Sequence, residues 1–143
     1  MAGRIGRLMV VDDNAIDQRL YRRIVERSGR VDDMISCLSG QEALDHLNEE
    51  GSGPVDVILL DINMPRMNGF EFLEVATERL GPDFASMVII MLTTSLDPGD
   101  VVRAQRFGAV RDLFHKPLTS THIDQIAGFI GAEAGPAAPH RAP

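Results

Sequence analysis

The sequence predicts an α/β fold, a doubly wound parallel sheet of five strands with five helices, and three observations lead there. Short apolar runs alternate with segments whose apolar residues recur at helical spacing, and this pairing repeats five times along the 143 residues. Runs such as Val57-Ile58-Leu59-Leu60 and Val88-Ile89-Ile90-Met91-Leu92 are continuously apolar, as strands buried on both faces are. Chemically active groups stand just after four of the runs: Asp12 and Asp13 after Leu8-Met9-Val10-Val11, Asp61 after Leu60, Thr93 after Leu92, and Lys116 after Leu113-Phe114-His115.

The helices follow in order. After the first run Ile16, Leu20 and Ile24 share a face at four-residue steps and are expected to bury it, with Asn14 as cap and Gly29 as stop. Ser39 opens the second helix, forms a capping box with Glu42, and is followed by buried Leu44 and Leu47. Phe72, Leu73, Ala76 and Leu80 form the core stripe of the third, which Gly81-Pro82 ends. Asp97 caps the fourth, with Pro98 at its first helical position. Ile123, Ile126, Ala127 and Ile130 stripe the fifth, after the hydroxyls of Thr119-Ser120-Thr121.

Length bounds the organisation to one domain, residues 1–131, burying about two thirds of its unfolded surface. Residues 132–143, rich in Ala and Pro, have too few apolar groups to offset the entropy of ordering and are expected to form a disordered tail with no output domain beyond it. The net charge of −7 argues against sequence-independent binding to nucleic acid or anionic lipid. Neither a signal-peptide apolar region nor a run near the roughly 18 residues of a membrane span is found, so a cytoplasmic location is expected. Cys37, the only cysteine, excludes an internal disulfide and fits a small buried side chain better than a nucleophile.

All strand ends of one polarity emerge on one sheet edge, so Asp12, Asp13, Asp61, Thr93 and Lys116 converge there. Three packed carboxylates repel and call for a compensating cation, and hard oxygen ligands favour Mg2+. Taken singly, each Asp reads as a cap or turn residue; five matched positions make coincidence a poor account. Asp61 can then act as an oxygen nucleophile on a phosphoryl group, with Lys116 supplying a point charge and Thr93 a hydroxyl donor. Pro117 bears on how the Lys116 ammonium is aimed.

Val11-Asp12-Asp13-Asn14, Asp61-Ile62-Asn63-Met64-Pro65 with Asn68-Gly69, Leu92-Thr93-Thr94-Ser95 and Lys116-Pro117 together resemble a bacterial response-regulator receiver domain of the CheY-like, stand-alone type, over about residues 7 to 130. The resemblance implies the flavodoxin-like strand order 2-1-3-4-5. It further implies that Asp61 accepts phosphate from a sensor histidine kinase or histidine phosphotransfer protein, and that Asp12, Asp13, Asp61 and the Asn63 carbonyl hold Mg2+. Thr93 and Lys116 would read out the phosphoryl group, Thr94 would narrow access to it, and Asn63 and Ser95 would tune its hydrolysis. The family's fifth-strand switch aromatic is Leu113 here, whereas the neighbouring Phe114 should face the opposite side as core. Stand-alone receivers serving phytochrome-type kinases share the look of the Thr93 and Lys116 segments.

Signalling would run by contact through the fourth helix, fifth strand and fifth helix, where Arg103, Arg106, Arg111 and His122 stand, to an unknown downstream protein, from a monomer or weak dimer. No enzyme activity beyond phosphorylation and dephosphorylation of Asp61 itself is expected. A magnesium-dependent phosphohydrolase of the haloacid-dehalogenase kind would want an acid two residues after the nucleophile, and Asn63 cannot donate that proton. A constitutive docking module would not need the five site residues.

Overall fold

Alternate residues of each strand feed opposite faces of one sheet, and two apolar clusters result. A computed structural model of the chain describes residues 3–49, 53–94 and 97–134. Its strands are β1 (Ile5–Val11), β2 (Val31–Cys37), β3 (Val57–Asp61), β4 (Val88–Thr93) and β5 (Val110–His115), all parallel, in the order β2-β1-β3-β4-β5. Around them lie α1 (Ala15–Ser28), α2 (Gly40–Asn48), α3 (Gly69–Leu80), α4 (Pro82–Ala85), α5 (Pro98–Arg106) and α6 (Ser120–Ala134). Met9, Val11, Ile58, Leu60, Ile89 and Met91 join α2, α3, α4 and α5 on one face, while Leu8, Val10, Leu59, Ile90 and Leu92 join α1 and α6 on the other. The middle strands β3 and β4 are buried at every residue, which accounts for their unbroken apolar runs.

The fold class and strand order agree with expectation, and the helix count differs by one. The extra element, α4, is a short turn that Gly81 and Pro82 start immediately after α3, and it buries Phe84 edge-on against Phe72. Asn14, Ser39 and Asp97 cap α1, α2 and α5 as expected, and Gly29 takes the left-handed conformation (φ 66°) that ends α1. At Ser39 the box is displaced: its hydroxyl accepts from the Glu42 N–H, while the Glu42 carboxylate reaches the Leu38 N–H. The full reciprocal box forms instead between Asn68 and Glu71 at α3. Helix α6 continues through residues 132–134, and the rest of the expected tail lies outside the described residues.

Helix α1 buries a different face from the expected stripe of Ile16, Leu20 and Ile24. Ile16 and Leu20 are 70% and 50% exposed, and Ile24 only half-buried. The helix turns Gln18, Tyr21 and Val25 inward, a three-then-four spacing that fits the helical period better than equal steps of four. Among the described residues no helix is long and apolar enough to cross a membrane.

Candidate functional site

The site residues sit at, or within two residues of, the carboxyl ends of strands. Asp61 and Thr93 are the last residues of β3 and β4, whereas Asp12 and Lys116 directly follow β1 and β5. Backbone bonds across the sheet fix these ends level with one another: the Asp12 N–H donates to Cys37, the Ile62 N–H to Leu92 and the Lys116 N–H to Thr93. The peptide bond between Lys116 and Pro117 is cis. Gly69 opens α3 tight against this edge, since a Cβ there would stand 2.7 Å from the Asp61 carbonyl oxygen and 2.9 Å from Met91 Cε.

The acids converge as expected. Asp12, Asp13 and Asp61 each place a carboxylate oxygen within 4.8 Å of the others. Asp12 and Asp61 are buried, at 1% and 4% exposure, while Asp13 and Asn63 face solvent. Lys116 Nζ bridges the buried pair, 2.9 Å from Asp12 Oδ2 and 3.4 Å from Asp61 Oδ1, with Asp17 at 3.9 Å. These groups, with Asn14, Ile16 and Thr94, line an open cleft of about 510 Å³.

One lysine does not balance this acidity. Burial pushes the Asp61 carboxyl up to about 6, and the Asp12 charge adds to the rise against the pull of Lys116 and the Asn63 N–H. Burial alone would lower the Lys116 ammonium, but its contacts with Asp12 and Asp61 outweigh that and raise it. The donor set is all oxygen from carboxylates, partly desolvated and short of positive charge, which fits a hard divalent cation.

Sequence reasoning passed over two side chains on the inward face of α1. The Tyr21 hydroxyl donates to Asp12 Oδ2 at 2.7 Å, and burial together with Asp12 raises the phenol so that it stays protonated. Gln18 Nε2 shares its two hydrogens among the carbonyls of Val10, Asp12 and Cys37 at 3.0, 3.1 and 3.1 Å, tying α1 to the ends of β1 and β2. The available signal was polar groups at positions 18 and 21, three apart on a face that continues to Val25.

Among the remaining expected residues, Thr93 is buried and Thr94 exposed, while Ser95 lies outside the described residues. Leu113 is half-buried in the cluster of α2, α3, α4 and α5, and Phe114 is buried on the opposite face against His122 at 4.4 Å between rings, as expected. Arg103 and Arg111 are exposed with guanidinium groups 4.3 and 4.8 Å from the ring centres of Phe70 and Phe129. Cys37 is buried as expected, and burial pushes its thiol up to about 12.

A parallel 2-1-3-4-5 sheet with three acids and a lysine at its carboxyl edge defines an α/β module of the flavodoxin-like kind with an acidic, cation-type site at its strand ends. The family model for the response regulator receiver domain matches residues 8–127, and the chain belongs to that family. A chemotaxis protein CheY homolog of Campylobacter jejuni is 32% identical over 130 residues, covering 90% of this chain and 95% of the relative. Among solved structures, a two component response regulator from Cytophaga hutchinsonii aligns with a TM-score of 0.86 at 29% identity, covering 91% of this chain and 99% of that one. The bacteriophytochrome response regulator AtBRR aligns with a TM-score of 0.71 at 27% identity over 88% and 94% of the two chains.

Proposed function

We propose that this receiver takes a phosphoryl group onto Asp61 from a phosphohistidine of a sensor histidine kinase or histidine phosphotransfer protein, in a two-component or phosphorelay system. The observation that carries the reading is the meeting of Asp61 with Asp12, Asp13 and Lys116 at one solvent-open strand edge. Asp12, Asp13, Asp61 and the Asn63 carbonyl would hold Mg2+, which when bound supplies charge neutralisation for the transferred group. An Asp61 carboxylate oxygen attacks phosphorus, the bond from phosphorus to imidazole nitrogen breaks, and the leaving histidine keeps the electron pair and gains a proton.

Lys116, freed from its bridge, places its ammonium on the phosphoryl oxygens, and Thr93 offers its hydroxyl from the neighbouring strand end. Thr94, exposed at the rim, narrows access; Asn63, also exposed, and Ser95 tune hydrolysis. Exposed Ile16 and Leu20, with half-buried Ile24, border the acidic cleft and an apolar groove of about 370 Å³ with Pro117 and Leu118, a surface suited to an apolar patch on the phosphoryl donor. Signalling then proceeds by protein contact through α5, β5 and α6, without an aromatic at position 113.

Intact mass after incubation with acetyl phosphate or phosphoramidate tests this directly. The expected result is a magnesium-dependent gain of one phosphoryl group that Asp61→Asn abolishes. A folded wild type that gains nothing from either donor overturns acceptance from small-molecule donors and leaves a docking module or a donor-restricted site.

A further inference from the structure

The Tyr21 hydroxyl reaches Asp12 from α1, and both residues are buried. It shares Asp12 Oδ2 with Lys116, at 2.7 and 2.9 Å, while the Asn14 N–H occupies Oδ1 at 2.9 Å. Of these three donors, only Lys116 is also engaged with Asp61, at 3.4 Å, and only Lys116 carries a charge. A cation entering among the carboxylates repels that ammonium, and a phosphoryl group on Asp61 draws it off Asp12. Asp12 would then depend on its two neutral donors.

We propose that Tyr21 is a positioning residue that holds the Asp12 carboxylate in its metal-binding orientation once an entering cation has displaced Lys116. The proposal rests on the magnesium reading above and extends it to a residue on α1. Gln18, one turn earlier on the same face, fixes the Asp12 backbone through its carbonyl, so main chain and side chain are held from one helix. Outer partners of this kind orient a ligand and set its affinity, with losses of about 10- to 100-fold on removal. Tyr21 does so as a neutral group, so it can share an oxygen with a dication where a lysine cannot.

The test is magnesium affinity measured by calorimetry on wild type, Tyr21→Phe and Val25→Ala, each shown folded by circular dichroism. Tyr21→Phe deletes one oxygen; Val25→Ala truncates the buried residue one turn further along the same face. Magnesium binding weakened about tenfold in Tyr21→Phe and unchanged in Val25→Ala is the expected result. Because the chain has one tyrosine and no tryptophan, emission excited at the tyrosine band reports Tyr21 alone. That emission should change with the calorimetric midpoint as magnesium is added to wild type. Equal affinity in wild type and Tyr21→Phe, or wild-type emission unchanged at saturating magnesium, overturns the role of Tyr21 and leaves the magnesium reading intact. No binding by wild type overturns both.

Discussion

Asp61→Asn should stabilise the metal-free protein at neutral pH, because the fold holds that carboxylate in a place that resists its charge. The ordinary value of 3.8 becomes about 6, with burial the first cause and the Asp12 charge the second. Below about pH 4 the carboxyl is protonated in folded and unfolded chain alike, and the variant gains nothing. The folded state keeps its proton to higher pH, so this preference is lost as pH rises through about 6, leaving the ionised wild type roughly 3 kcal/mol worse off above that. Asparagine is neutral throughout and escapes the loss. That value already includes the pull of Lys116, which keeps Asp12 at 2.9 Å, so the net gain is about 3 kcal/mol, or roughly 10 °C in Tm. Denaturant unfolding in EDTA at pH 5 and pH 8 measures it, with about half the full gain at pH 5. On the proposed reading magnesium should narrow the gap, since it would bind the folded wild type. A variant no more stable than wild type at pH 8, or a gain equal at both pH values, refutes the reasoning.

Two further outcomes follow from close packing and burial. Gly69→Ala puts a Cβ 2.7 Å from the Asp61 backbone oxygen, a contact that must move main chain, so it should cost about 1–3 kcal/mol despite the better helix propensity of alanine; denaturant midpoints check it. Cys37, buried with its thiol pushed up to about 12, should resist alkylation in the native state and take up one label on unfolding, and stoichiometric native labelling within minutes would contradict its placement.

The readable parts of the fold were those where one physical cause dominates. Strands β3 and β4 are covered on both faces, so their sequence is apolar without interruption, and the residue after each run is displayed by topology. Caps at Asn14, Ser39 and Asp97 were legible because a short polar side chain before an apolar repeat has one good use there. Helix α1 was misread because two different demands fall on it. Its inward face carries Gln18 and Tyr21 to serve the site, and its outward face carries Ile16 and Leu20, which a burial rule places inside. The short α4 escaped because Gly81-Pro82 signals a stop and, equally, a start.

That inversion on α1 joins the electrostatics of the site to its recognition. The helix that tethers Asp12 through Tyr21 and Gln18 also presents Ile16 and Leu20 beside the cleft, so a partner covering those side chains would bear on a segment already bonded to the acidic centre. Desolvation by such a partner would raise the cost of the uncompensated carboxylates, the same cost that lifts Asp61 to about 6 in the free protein. A bound cation and a transferred phosphoryl group change that balance in opposite senses, one adding positive charge and the other negative. On the proposed reading, binding of partner, cation and phosphoryl group is therefore coupled through one set of charges, and a partner that prefers one charge state must by linkage shift the population toward it.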